Sequence, residues 1–558
     1  ENLFPYPYLE GDEVETLKMV LESIDRFMQG RDDDYRSYDR DGMQPEEYIE
    51  SLKELGLFGI IIPEEQGGLG LSNRSYSRIL QETSRFDGST SLTIGAHSSI
   101  GMKGLLLFGN EAQKSRYLPK LASGEMIAAF CLTEPSSGSD AASIKTNATK
   151  NPDGSWTLNG EKIWITNGAF AEFFTVFART EGETGKISAF LVERSFGGVS
   201  CGPKEDKMGI RASATTSVRF DNTRVPAENL LGEEGKGFKV AMAILNNGRT
   251  GLGGGCVGAM KRCIEMAARQ SKERKQFGRS ISEFELVKEK LALMSVDCFA
   301  AESVVNMVAA LIDSGVEDYS LEAAISKVFA SEALFRTANE ALQVAGGNGF
   351  MREYPYERIV RDSRINLIFE GTNEILRLYI ALSGFKDVGE YLKEIGKSAG
   401  KIFNDPIKGF GVLSGYVTKR VSQLTSVGRE KITRVHPALK EITPIYELYV
   451  SRLAKAGDAV LRNLGKDIIG NQLISKRFAD IAIDLFVGLS LISRVSRDLE
   501  IKGVERCKQE LNIALMFTQQ AKRRMNHNIR RLESNEDEAL RSLADHVIGQ
   551  GCFEWDLV

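Results

Sequence analysis

The sequence predicts a mainly α-helical protein with one β domain at its centre and a further helical extension at its C-terminal end. Three observations predict it. Apolar residues recur at helical spacing up to about residue 130, alternating strand-like runs fill 131–238, and the helical period returns after Gly237 and is kept almost to the end. With helices and strands in separate blocks, no βαβ alternation and no GxGxxG after a strand, a Rossmann domain is not expected.

In the first block Leu17, Leu21, Ile24 and Met28 lie on one helical face, and helical patterns follow over Pro45–Leu57, Ser75–Phe86 and Ser91–Phe108. Residues 1–130 are therefore expected to form an α-helical domain. Within it Gly101 and Gly104, on one expected helix, either let neighbours pack closely or open space beside them. In the second block WTLNGEKIWIT (156–166) sets Asn-Gly between two alternating runs, the signal of a hairpin. Phe173–Arg179, Ile187–Val192 and Thr215–Phe220 add strands to a small antiparallel barrel or sandwich over 131–238.

Arg262–Arg269, Glu283–Ser314, Leu321–Gln343 and Glu374–Ser383 then read as a helical bundle over 239–385. Residues 386–434 turn basic, interleaved with Phe403, Phe410 and Tyr416, and read either as a solvated linker or as a segment lying on an anionic membrane surface. From 435 to 558 the helices resume, the longest over Gln472–Glu500. ISKVFASEAL (325–334) is echoed by ISKRFADIAI (474–483); as a duplicated bundle, the same offset would set Gln519 in the place of Glu370.

Composition narrows the function. A net charge of -5 and a pI near 5.8 lack the basic face that phosphate neutralisation needs, so no nucleic-acid partner is expected. The seven cysteines form no CxxC pair and read as buried fillers in a reducing compartment. His97, His436, His527 and His546 show no ligand spacing, so no metal is expected. No run of about 18 apolar residues is evident, so no bilayer span is expected. The acidic start lacks a signal-peptide pattern, although a start without Met leaves an already removed leader open.

The stretch RDSRINLIFEGTNEIL (361–376) stands apart: an apolar run delivers a lone carboxylate, Glu370, into a Gly-Thr-Asn break before a helix resumes. A carboxylate placed so can be a base aimed into an apolar cavity or one residue of a helix junction. LTEPSSGSD (132–140) is a turn rich in N–H and hydroxyl donors, able to hold a pyrophosphate or to be only a loop. Trp164 in WITNG (164–168) offers a flat face to a ring or to the core. Arg274 and Phe277 in ERKQFG (273–278) could hold a nucleotide or cap and pack; QVAGGNGF (343–350) completes the set.

In this order and spacing these stretches resemble the acyl-CoA dehydrogenase family, closely from Met43 to about Ser383. The C-terminal extension resembles that of its long subgroup, the very-long-chain enzymes and the related member that assists respiratory complex I assembly. The resemblance implies the family fold, with FAD between the β domain and the bundle. Thr133, Gly138, Ser139, Trp164, Thr166, Thr372 and Glu374 match flavin positions, and Arg274, Phe277, Gln343 and Gly347 match positions that reach FAD across a two-fold interface. Glu370 matches the catalytic base. Ser139, Arg249 and Gly371 match substrate positions, and Gly101 and Gly104 match glycines that permit a deep acyl tunnel.

The implied reaction is dehydrogenation of long or very-long-chain fatty acyl-CoA to trans-2-enoyl-CoA in β-oxidation, with electrons passed to electron-transfer flavoprotein. The extension implies a homodimer, in the mitochondrial matrix or bacterial cytoplasm, with the inner membrane as a peripheral contact. Two alternatives stay open: an acyl-CoA oxidase on the same scaffold, and a respiratory-assembly or membrane scaffold that keeps the fold.

Overall fold

The computed structural model describes residues 3–180, 185–384 and 431–557. Residues 386–430 of the basic stretch, and with them its linker and membrane readings, lie outside the described residues. The chain divides into two compact units, 1–375 and 376–558.

The first unit opens with helices α1 (Glu13–Met28), α2 (Asp32–Asp41), α3 (Glu46–Glu54), α4 (Asn73–Phe86) and α5 (Gly88–Gly95). A π-helical turn over Ala96–Gly101 leads to α6 (Lys103–Phe108) and α7 (Glu111–Ser123). Their ends are set by local chemistry. The Ser72 side chain accepts from Ser75 N at the head of α4, Asp87 does the same for α5, and Asn110 with Gln113 forms a capping box on α7.

Strands β1 (Ala128–Cys131), β2 (Asn147–Lys150), β3 (Trp156–Thr166), β4 (Phe173–Thr180), β5 (Ile187–Glu193), β6 (Val199–Lys204), β7 (Thr215–Val225) and β8 (Leu230–Leu231) form one eight-stranded sheet. Its order is β6-β7-β3-β2-β4-β5-β8, with β1 on β4. Most pairs are antiparallel as expected, but β1 and β2 both run parallel to β4. Successive residues of β4 serve two cores: Phe173 and Phe177 pack with Leu118, Leu121 and Ile244, while Phe174 and Val176 pack with Trp156, Leu158 and Phe190.

The expected hairpin at Asn159-Gly160 is not formed. β3 is one continuous strand of 11 residues, and the Asn-Gly pair makes a bulge against β7. Gly160 has φ +154 and a β-carbon there would meet Thr146 Oγ1 at 2.4 Å, so close strand packing explains the glycine. Asn159 Oδ1 accepts from the backbone N–H of Asn222 at 2.8 Å and steadies the bulge.

Helix α8 (Gly237–Glu273) is the second correction, because 37 residues replace the short helix expected at 262–269. Glycines in the run GLGGGCVG (251–258) are what let α8 lie against α4. A β-carbon at 254 would stand 2.6 Å from Ser77 O, and one at 258 would stand 1.9 Å from Gln81 O. The small hairpin β9 (Lys275–Gln276) and β10 (Arg279–Ser280) then leads to α9 (Glu285–Asp313), α10 (Ser320–Ala345), α11 (Gly347–Phe350) and α12 (Tyr356–Arg364). Among the described residues α9 is long and apolar enough to cross a membrane by length and composition. It is largely buried, with Val304, Val305, Met307 and Val308 fully enclosed, and serves as a core helix.

The boundary between the units falls within the helix over 373–384. The second unit holds helices Thr443–Leu464, Gln472–Lys502, Lys508–Glu533 and Asp537–Gln550. Gly488 lets the second lie on the Tyr446 ring of the first, and Arg524 grips Asp484 through both carboxylate oxygens at 2.6–3.1 Å.

The glycine stripe yields a paired prediction. Gly258→Ala forces α4 and α8 apart and should cost more than about 2 kcal/mol by overpacking. Gly255→Ala, whose β-carbon would meet nothing nearer than Ser91 Oγ at 3.5 Å, should be neutral or stabilising by up to about 1 kcal/mol. Urea denaturation of the two variants checks it; equal losses would contradict the packing account.

Candidate active site

Glu370 sits between the 3-10 turn Ile365–Leu367 and the helix over 373–384, in a left-handed conformation at φ +59 followed by Gly371 at φ +92. A glutamate there is strained and needs its surroundings to hold it. Two cations do so on successive carbonyls: Arg249 Nε of α8 donates to Glu370 O at 3.2 Å, and Lys327 Nζ of α10 donates to Gly371 O at 2.8 Å. The turn thereby sends the side chain inward. Glu370 Oε2 is buried and makes no hydrogen bond. Burial pushes its carboxyl from 4.5 up to about 7, against the opposing pull of Arg249 and Lys327.

The carboxylate stands at the head of a cavity of about 1020 Å³, part of it open to solvent. One wall is α8, which turns Gly248, Gly251, Gly255 and Ala259 toward the space; a second runs from Gly88 along α5 and the π-helical turn after it to Ile100; the third is α12 and its extension through Phe369. A β-carbon at 248 would stand 3.3 Å from Glu370 Oε2, so Gly248 makes room for the acid itself. From Gly248 to Ala259 the trough runs roughly 16 Å at the helical rise of about 1.5 Å per residue. Its far end gathers Ser84, Arg85, Arg358 and Asp362.

Thr166 lines the same cavity, and the strand that carries it brings Trp164 and Thr133 alongside: Ile163 N donates to Thr133 O at 3.0 Å. Trp164 has φ +57 and is 63% exposed, so its indole is not spent on the core. Behind Thr133 the loop is pinned by Glu134, which accepts from Lys162 Nζ at 2.7 Å and from the backbone of Lys145 and Thr146. Gly138 and Ser139 are exposed on that loop. Thr372 follows Glu370 and accepts from Ile375 N at 3.3 Å, and Glu374 is exposed on the next turn.

Four expected residues are not brought to this place. Arg274 ends α8 roughly 39 Å from Gly248 along the helix, and Gln343 lies roughly 24 Å along α10 from Lys327. Phe277 (φ +53, 93% exposed) and Gly347 are exposed and are not among the residues that line the cavity.

Gly101 and Gly104 are not among the residues that line this cavity. A β-carbon at 101 would meet Ala128 at 2.8 Å and one at 104 would meet Ile244 Cδ1 at 2.9 Å, so both serve the close packing that was their alternative reading. The glycines on the trough are Gly88, Gly95, Gly248, Gly251 and Gly255, and sequence reasoning missed them. Lys327 was also missed; a lysine amid Ala323, Ala324, Val328 and Ala330 on the apolar face of a helix was the available signal. Gln519, the echo of Glu370, lies inside the continuous helix Lys508–Glu533 with no turn to aim it.

Fold and site together set one desolvated carboxyl on the wall of a long cavity lined mainly by apolar side chains and glycines. The chain matches the acyl-CoA dehydrogenase N-terminal domain over 14–125, its middle domain over 129–223, its C-terminal domain over 235–384, and the ACAD9/ACADV C-terminal domain over 437–552. It is 44% identical to the mitochondrial very long-chain specific acyl-CoA dehydrogenase of Bos taurus, covering 96% of this chain and 83% of that protein. The crystal structure of an acyl-CoA dehydrogenase complexed with FAD from Bacillus anthracis matches at a TM-score of 0.82 and 34% identity, over 97% of this chain and 92% of that one. A chain in the structure described as the electron transferring flavoprotein of Acidaminococcus fermentans matches at 0.65 and 38% identity, over 68% of this chain and 99% of that one. This chain belongs to the acyl-CoA dehydrogenase family and is an FAD-dependent oxidoreductase acting on acyl-CoA.

Burial of Glu370 links stability to pH. A carboxyl whose folded pKa is raised contributes stability that is complete below its unfolded pKa and is lost as pH rises through about 7. Glu370→Gln, which cannot ionise, should therefore raise Tm over the wild type by more at pH 8 than at pH 5. Thermal unfolding at both values checks this, and equal increments would contradict burial as the cause.

Proposed function

We propose that the protein dehydrogenates long-chain fatty acyl-CoA at the α,β-bond with Glu370 as base. The observation that carries this reading is the unpartnered, desolvated Glu370 Oε2 at the head of a long glycine-walled cavity. A carboxyl near pH 7 is ionised often enough to accept a proton and basic enough to take one from carbon. The trough along α8 accommodates roughly a dozen carbons beyond the α-carbon, each buried CH₂ contributing about 0.8 kcal/mol. Gly371 and Arg249 hold the turn that places the carboxylate, and the apolar walls exclude water from it.

The residues present fit FAD, because the exposed indole of Trp164 and the Thr133–Ser139 loop offer a ring platform and hydroxyl and N–H donors beside Glu370. Thr133, Gly138, Ser139, Trp164, Thr166, Thr372 and Glu374 would hold it, Ser139 also facing substrate. When bound, FAD supplies the two-electron sink that takes the β-hydride. Arg274, Phe277, Gln343 and Gly347 are too far along α8 and α10 to serve the site of their own chain, which supports their serving a partner's. The exposed apolar side chains Phe277, Leu286, Phe350 and Met351 support the same homodimer. The relatives named above support electron-transfer flavoprotein as acceptor, and the mitochondrial matrix or bacterial cytoplasm as location.

Glu370→Gln should lower kcat/KM for palmitoyl-CoA by about 10²–10⁴ while the protein keeps its flavin absorbance; full turnover would refute the base. Across a chain-length series the optimum should lie at about 14 carbons or more, since about 0.8 kcal/mol accrues per buried CH₂. Gly255→Leu, which fills the trough, should move it to shorter chains; an optimum at butyryl-CoA in the wild type would contradict the reading. Light scattering should give the mass of two chains, and four would count against the dimer.

A further inference from the structure

We propose that Lys327 is the positioning residue of the catalytic turn: its ammonium grips the Gly371 carbonyl, keeps Glu370 left-handed with its carboxylate aimed into the cavity, and lends that carboxylate a compensating positive field. This rests on the reading of Glu370 as the base and adds how the base is held and tuned. Lys327 is fully enclosed on α10, where an apolar side chain would pack at no electrostatic cost. Its Nζ is committed on the turn side, 2.8 Å from Gly371 O and 2.8 Å from Asn373 Oδ1. Asn373 is fixed in turn, donating to Ser331 Oγ and Glu332 Oε1, each at 3.1 Å. Lys327 thus ties α10 to the C-terminal side of the strained Glu370–Gly371 step, at Gly371 and Asn373.

The charged and titratable groups around the pair come from every packed element. Arg249 and Cys256 face it from α8, Tyr76 from α4, Glu332 from α10 itself, and Glu370 from the turn. Arg249 and Lys327 are the two cations that oppose burial at Glu370. Arg249 holds the Glu370 carbonyl and also donates to Asn246 Oδ1 at 2.6 Å, which leaves Lys327 as the cation on the second carbonyl. With Lys327 uncharged, the carboxylate becomes harder to form and the turn freer to relax.

The test is the pH profile of kcat and kcat/KM for palmitoyl-CoA in flavin-loaded wild type, Lys327→Met and Lys327→Gln. Lys327→Met should lower kcat at least tenfold at high pH with KM changed by less than about twofold. Its acid limb should move up by half a pH unit or more. Lys327→Gln, which keeps a donor but no charge, should recover part of kcat and keep the displaced limb. A limb that stays at the wild-type pH, with activity falling only as flavin content falls, would overturn the proposal. If Lys327→Met does not fold, Asn373→Asp serves instead, because a carboxylate beside Lys327 offsets its field: a displaced limb supports the proposal and an unmoved one overturns it. Glu370→Gln is measured alongside. Should it keep wild-type turnover, the base assignment falls; should it be inactive while Lys327→Met behaves as wild type, only the role of Lys327 falls.

Discussion

A carboxylate withheld from water is the constraint on which the rest of this structure depends. Left alone, Glu370 would ionise in solvent near its ordinary value and would be too weak a base for a carbon acid. Removed from water without a partner, its carboxyl rises to about 7. The fold keeps it there by denying Oε2 any donor while spending its two nearest cations on the backbone, Arg249 on the Glu370 carbonyl and Lys327 on the Gly371 carbonyl. Those cations hold the shape of the turn and temper its charge without forming the direct ion pair that would quench its basicity.

The same economy of side chains shapes the cavity. Helix α8 approaches α4 through Gly254 and Gly258 at distances that a methyl group would forbid, while Gly248, Gly251 and Gly255 line the trough. One glycine-rich segment therefore serves both helix packing and substrate space. That costs helix propensity, recovered by burial of neighbours such as Val257 and Met260.

The block order α, β, α was legible because hydrophobic periods of 3.6 and 2 differ, and the turn bearing Glu370 was legible because an apolar run ended in Gly-Thr-Asn. What failed to show is what depends on contacts distant in sequence. The glycines of 251–258 carried no local signal, because the backbone of α4 that they meet lies far away in the chain. Asn159-Gly160 looked like a hairpin because only its neighbours, Thr146 and Asn222, reveal a bulge. How closely Gly101 and Gly104 are packed shows only through Ala128 and Ile244, both distant in sequence. Lys327 was noticed only as part of a repeat, since nothing local marks a lysine as buried against a carbonyl 44 residues on.

The central claim is that Glu370 takes the proton from the carbon next to the thioester. Its most direct measurement is single-turnover bleaching of the flavin under argon with palmitoyl-CoA carrying hydrogen or deuterium at that carbon. The account predicts bleaching that slows with deuterium in the wild type and is nearly abolished in the flavin-loaded Glu370→Gln variant. Bleaching at the wild-type rate in that variant, with the same isotope effect, would contradict it.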